Sequence, residues 1–299
     1  MSVLQRVFDA PSRLTVLDPL AARAKETADR VLPGGRVRGW LHGRPAGHPL
    51  HPAAAMLPVG TSVSALLLDA AAVVLPGGRA LGAPARGLTA VSVAAAGPTA
   101  AMGWADYTGL HEDQQRTALV HAAGNAVAVA LWSLSLVGGR RAPLLRTAGT
   151  LAAGAAGALG GHLAYRWAAG PNHAEHLPHL AELAPADADG STDLGSLDEL
   201  PEGVPTQRWV GDAPVCLLRR GARVHGLVDT CSHLGGPLHD GEVRDVDGRT
   251  ALVCPWHGTA FSLTDGEVLD GPGTAPQPVV AVRVRGGRVL GRVEGPPKP

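Results

Sequence analysis

Two stretches decide how this chain is read: CSHLGGPLHDGEV at residues 231–243 and CPWHGTAFSLTDGEVLDGP at residues 254–272. Each opens on a cysteine and follows it closely with a histidine, Cys231-x-His233 in the first and Cys254-x-x-His257 in the second. Two thiolates and two imidazoles on facing loops suit a [2Fe–2S] cluster, with both sulfurs on one iron and both nitrogens on the other. Gly235, Gly236, Pro237, Pro255 and Gly258 suit tight loops that aim backbone N–H groups at sulfide. The competing reading is a structural zinc site, because zinc also takes two cysteines and two histidines. Zinc spacing usually pairs Cys with Cys and His with His, whereas each loop here is mixed. On the zinc reading the protein is a metal-stabilised membrane scaffold without redox chemistry.

Outward from these loops, short apolar runs of period two recur: Val215-Cys-Leu-Leu, Val224-His-Gly-Leu-Val, Ala251-Leu-Val, Val279-Val-Ala-Val-Arg-Val and Arg288-Val-Leu. Gly/Asp turns separate them, which predicts a small all-β domain over residues 204–299. Cys216 falls in an alternating strand and reads as core. With 3 Cys in 299 residues, a disulfide framework is excluded.

The two boxes resemble those of the Rieske family, over about residues 201–299. The resemblance implies that Cys231 and Cys254 bind the inner iron and that His233 and His257 bind the outer, more exposed one. High-potential respiratory members carry an extra Cys in each box. Gly236 and Trp256 stand at those places here, so that bridge is absent. Thr259 and Phe261 stand where those members have Ser and Tyr hydroxyls. Fewer hydroxyl donors imply a lower potential, nearer to ferredoxin-type members.

Upstream, four stretches with few charges are read as membrane spans: Ala53–Leu75, Leu88–Trp104, Ala118–Val137 and Ala148–Trp167. A helix needs roughly 17–25 such residues to cross a bilayer. Asp69 and Arg166 are the charges inside them, and Asp69 is expected to pair with a loop arginine. Gly154, Gly157 and Gly161, with Ala153, Ala156 and Gly160, predict a small-residue face for close helix packing. The fold class expected is therefore multi-domain, an all-α four-helix transmembrane bundle (45–170) followed by the β domain. Residues 1–44 are read as a polar tail whose start could lie as a short amphipathic helix on the membrane. Residues 171–203 are read as a His-containing segment, with His173, His176 and His179 on a wet surface, followed by a mobile acidic linker. The motifs GRPAGHPLHPAAAMLPVG and LGGHLAYR, within about residues 40–170, resemble an uncharacterised family of predicted four-span bacterial membrane proteins, some of which carry a C-terminal Rieske domain.

Histidines cluster at one end of the predicted bundle. Span parity brings His48, His51, His121 and His162 to a common membrane face. Ionisable groups are costly there and are functional candidates. His121 lies one turn from Asn125, and His162 one turn from Arg166. Facing imidazoles could ligate a haem, hydrogen-bond a quinone head group, or only satisfy one another.

Lys+Arg and Asp+Glu both number 26, which excludes a basic nucleic-acid binder. The function expected is membrane-anchored one-electron transfer, with the lipid bilayer and a redox protein (a reductase, an oxygenase or a respiratory component) as partners. The alternatives are an internal relay of a haem or quinone oxidoreductase, and an electron donor to a separate oxygenase. An electron-transfer component is favoured over a self-contained enzyme, since the β domain leaves no room for a second, mononuclear iron site. An even number of spans puts both termini on one side. Arginines near the spans balance between the two sides and set no orientation. The signal-free polar N-terminus favours cytoplasmic termini.

Overall fold

Prolines set where several helices begin, since a proline in the first turn wastes no backbone hydrogen bond. In the computed structural model, which describes residues 3–32, 34–187 and 189–294, Pro19 opens α2 (Asp18–Val31), Pro52 opens α4 (His51–Val74) and Pro143 opens α7 (Ala142–Gly161). The other helices are α1 (Val3–Asp9), α3 (Arg36–His42), α5 (Gly82–Tyr107), α6 (Glu112–Ser135) and α8 (Leu177–Ala181). The chain divides into two units, each assembled from two segments. One joins Met1–Pro33 to Pro49–Ala169, and the other joins Gly34–His48 to Gly170–Pro299.

In the helical unit α4 packs along α5 and α6 along α7. Asp69 of α4 and Arg146 of α7 form a buried bidentate ion pair, at 2.6 and 2.5 Å. The seam of α7 keeps Ala153, Ala156 and Gly160 of the small-residue face expected and leaves out its other three residues. Gly149 receives the Trp132 indole, Ala156 meets Gly124, and Gly160 receives His121, whereas Gly154, Gly157 and Gly161 face open space. Steps of three and four residues join 149, 153, 156 and 160 into one stripe, and 154, 157 and 161 lie roughly a quarter-turn around the helix from it.

Among the described residues, α4 and α6 are long and apolar enough to cross a bilayer. Helices α5 and α7 have a spanning length, but Gly, Pro, Ser and Thr dilute their apolar content. Four spans were expected, and two helices meet the requirement by length and composition. Large apolar side chains of these helices point outward, among them Met56 (74% exposed), Val73 (85%) and Leu151 (66%).

Residues 1–44 are not a tail. The Tyr107 hydroxyl donates to Ala21 O at 3.1 Å, and Arg116 reaches both Asp18 (2.5 Å) and Ser12 O (2.8 Å). His162 Nε2 meets Asp9 at 2.9 Å. These partners lie far apart in sequence, so local composition hides them.

Among the described residues, the β unit holds ten strands in two sheets. The first is ordered β1 (Thr192–Ser196), β10 (Arg288–Val293), β9 (Val279–Arg285), β4 (Arg223–Val228), β3 (Ala213–Arg220), β2 (Thr206–Val210). The second is ordered β5 (Glu242–Val246), β6 (Arg249–Val253), β7 (Ala260–Ser262), β8 (Val268–Asp270). Neighbouring strands pair antiparallel throughout. Both faces of β3 are buried, which explains its unbroken apolar run. Ala213, Val215 and Leu217 enter one core, and Cys216 and Leu218 enter a second core shared with Cys231 and Cys254.

The stretch expected as a linker belongs to this unit. Ala174, Leu177 and Ala181 are buried in the first core. Strand β1 pairs with β10, and its Asp193 holds Arg288 at 2.6 Å. Four of the six acidic residues that suggested mobility, Asp189, Asp193, Glu199 and Glu202, are ion-pair partners. The segment Gly34–His48 joins the same unit through Arg44, whose guanidinium donates to Leu269 O at 2.8 Å and Gly271 O at 3.1 Å beside Asp270.

Candidate metal centre

The two loops share one backbone design. Cys231 N–H donates to Gly236 O at 2.8 Å, and Cys254 N–H donates to Thr259 O at 2.8 Å, five residues on in each loop. Gly235 and Gly258, four residues after each cysteine, return N–H bonds to Cys231 O (2.9 Å) and Cys254 O (3.1 Å). Both glycines are left-handed, with φ of +79° and +73°, where a side chain would be strained. This turn points two further N–H groups at each sulfur: those of His233 and Leu234 at Cys231, and those of Trp256 and His257 at Cys254.

The sulfurs of the two loops meet. The Cys231–Cys254 hydrogen bond draws the Cys254 thiol down to about 7, aided by the Trp256 and His257 N–H groups against the cost of burial. The same contact, with burial, pushes Cys231 up. Two sulfurs in contact within a nest of backbone donors mark a pocket built for thiolate charge. On the outer side the His233 and His257 rings stand edge to face, 5.1 Å between centres. Both cysteines are buried and both histidines are half-buried. The donors thus meet as two pairs, and among the described residues no group of three or more His, Cys, Asp or Glu side chains is placed to hold a single ion.

A family model for the Rieske [2Fe-2S] domain matches residues 191–283. The anthranilate 1,2-dioxygenase ferredoxin subunit of Burkholderia cepacia is 31% identical over 96 residues, covering 32% of this chain and 85% of that relative. The chain belongs to the Rieske [2Fe-2S] family. A human Rieske domain-containing protein is 36% identical over 76 residues, covering 25% of this chain and 48% of that protein, about half its length. Among solved structures, the ferredoxin of carbazole 1,9a-dioxygenase from Nocardioides aromaticivorans IC177 is 27% identical and covers 35% of this chain and 98% of that one, with a TM-score of 0.33.

A Rieske domain implies one [2Fe–2S] cluster, and the residues present fit it. A Cβ at Gly236 would lie 2.8 Å from Cys254 Sγ and 3.0 Å from the Trp256 ring, so only glycine lets the loops approach this closely. None of the three cysteines is in a disulfide. Cys216 is buried as expected, and burial raises its pKa.

Several residues that support the Rieske loops carried no sequence signal. Gln277 is buried; its carbonyl oxygen accepts from Ser232 N–H (2.9 Å), and its amide donates to Val228 O and Thr230 O (both 2.7 Å). Asp229, also buried, takes the N–H of His239 at 2.7 Å, the His239 ring at 2.6 Å and the Gln207 amide at 2.7 Å. His173 N–H donates to Ser232 O at 3.0 Å, which ties the segment before α8 to the first loop. Each reaches the loop across many residues, and a glutamine after a proline-rich stretch announces no partner.

The four histidines singled out upstream do not gather. His51 and His121 stand 6.2 Å apart between ring centres. His162 lies in a π-helical turn (His162–Arg166) that ends α7, stacked on Phe8 at 5.6 Å and bonded to Asp9. His48 is exposed and falls within the Gly34–His48 segment. His176 and His179 are exposed, as expected of a wet surface.

Proposed function

We propose that this protein is a membrane-anchored Rieske carrier that moves one electron at a time between a soluble redox partner and the membrane. When bound, the [2Fe–2S] cluster supplies one reversible electron. Cys231 and Cys254 hold its inner iron, and their four N–H donors stabilise the sulfur charge. His233 and His257 hold the outer iron, and their half-buried rings are the exit toward a partner. The observation that carries this reading is the pairing itself, sulfur against sulfur inside and imidazole against imidazole outside. The relative from Burkholderia cepacia is a dioxygenase ferredoxin subunit, which supports an oxygenase or a reductase as the partner class.

The anchor reading rests on exposed apolar surface. Outward Met56, Leu67, Val73, Leu144 and Leu151 suit lipid and would be costly in water. The pairing of Asp69 with Arg146 offsets two buried charges that would otherwise oppose insertion. The segments before and after the long helices share one compact unit, so the stretch between them crosses an even number of times, and four spans satisfy this. Both ends of the bundle-flanking chain then lie on one side, which we assign to the cytoplasm.

The test is the full chain expressed with iron, purified in detergent and reduced. We expect two cluster irons and two acid-labile sulfides per chain, a Rieske EPR signal, and retention in alkali-washed membranes. Cys254→Ser abolishes the signal. Zinc without iron, or release by alkali, overturns the cluster or the anchor respectively.

A further inference from the structure

We infer that His51 and His121 form a second redox-cofactor site, a pair of imidazole ligands for a metal centre that needs only two protein donors. His51 opens α4, and its Nδ1 lies 3.0 Å from Thr99 O on α5. His121 sits in α6, and its Nδ1 lies 2.7 Å from Ala156 O on α7. All four long helices therefore contribute to one place. A carbonyl oxygen only accepts, so each Nδ1 carries the hydrogen. In the neutral ring that leaves Nε2 with its lone pair. An imidazole whose far N–H is held by a backbone carbonyl is the arrangement metal-ligating histidines adopt.

The same tautomer argues against a quinone. A quinone carbonyl needs a donor, and Nε2 of a neutral Nδ1–H ring has none to give. The Asn125 amide donates to His121 O at 3.0 Å and lies nearly equidistant from both ring nitrogens, at 3.5 and 3.3 Å, over the ring and not in line with the Nε2 lone pair.

Space is kept for both rings. A Cβ at Gly103 would come within 3.0 Å of His51 Cε1, and one at Gly160 within 2.9 Å of His121 Cε1. The rings lie nearly perpendicular, at 86°, with centres 6.2 Å apart. With metal–nitrogen bonds of ~2.0 Å and about 1.1 Å from nitrogen to ring centre, two imidazoles on opposite sides of one metal have centres roughly 6 Å apart. Among the described residues no third His, Cys, Asp or Glu completes a metal-holding group. The metal must bring its remaining ligands, as haem iron does, or accept two-coordination, as a monovalent copper ion does.

The experiment is metal and optical analysis of the detergent-purified full chain, expressed with haem precursor, iron and copper. A Soret band with one haem per chain identifies the haem source, and one copper per chain without it identifies the bare ion. Either supports the site. His51→Gln and His121→Gln each cut the bound group at least tenfold and leave the cluster EPR signal unchanged. That unchanged signal separates this site from the cluster, whose failure would not affect it. His162→Gln, whose ring is engaged by Asp9, retains the group. Should the Gln variants lose helical signal, titration of the intact protein with haem or copper(I) decides instead, through saturation at one per chain. No saturable binding, or a quinone extracted in place of a metal, overturns the proposal.

Discussion

Glycine serves the two imidazole pairs in opposite ways. At the Rieske loops Gly235 and Gly258 are needed for backbone direction. Their φ is left-handed, and a Cβ on Gly258 would meet nothing within 4 Å. Beside His51 and His121, Gly103 and Gly160 sit in ordinary helix and are needed for room, with a ring within 3.0 Å of where a Cβ would stand. One pair is positioned by turns that hydrogen bonds close upon themselves, and the other by helices brought close enough for side chain to touch backbone. A loop site is thus defined locally, while a bundle site exists only once the helices have docked.

The strongest way to break this comparison is to loosen the docking. Asp69→Ala leaves Arg146 buried without its partner. It should cost the helical unit about 3–5 kcal/mol, read as a lower detergent melting temperature, with the Rieske EPR signal untouched. Joint replacement by Leu and Met should recover most of the loss.

Next in size is Gly258→Ala. Strain at a left-handed position costs roughly 1–2 kcal/mol, and trimming a neighbour cannot relieve it because none is near. Thermal unfolding and iron retention should both fall, in every background tested.

Gly160→Ala sharpens the contrast. Overpacking against His121 costs ~1–3 kcal/mol, and alanine's better helix propensity returns about 1 kcal/mol. In a His121→Ala background the clash disappears, and the same substitution should become neutral or stabilising. Identical penalties in both backgrounds would mean that Gly160 is needed for something other than space.

The smallest effect concerns β1. The Gly195 N–H and the Arg288 guanidinium hold the Asp193 carboxyl below its usual 3.8. A depressed carboxyl adds stability above its unfolded value and loses it as pH falls through the folded one. Asp193→Asn should therefore cost a little stability at neutral pH, and the deficit should disappear as the pH falls below about 4, which leaves a shallower acid limb in the stability curve.

How much of this was legible follows the same division. The metal loops were readable because Cys231, His233, Cys254 and His257 carry their spacing within a few residues of each other, and the strands because alternation is local. Asp69 was legible as half of an ion pair, since a lone carboxylate in an apolar run demands a cation. The partners of His121 and His162 were not. Helix rotation decides which ring faces which, and Asp9, which takes His162, lies in a stretch whose composition reads as solvent-exposed. The acidic run before β1 misled for a related reason: Asp189 and Asp193 look solvated until Arg283 and Arg288 arrive from the far end of the chain. Gln277, Asp229 and Arg44 are single polar residues whose meaning is a distant carbonyl or amide, and no periodicity marks them.

Arg44 bears on biosynthesis. The β unit closes on a segment translated before the long helices described, yet the strand edge that segment clasps, Leu269 to Gly271, is translated only after them. The ribosome must therefore release the whole bundle before the Rieske head can complete its contacts. A truncated head starting at β1 would lack this clasp and be assembled without it.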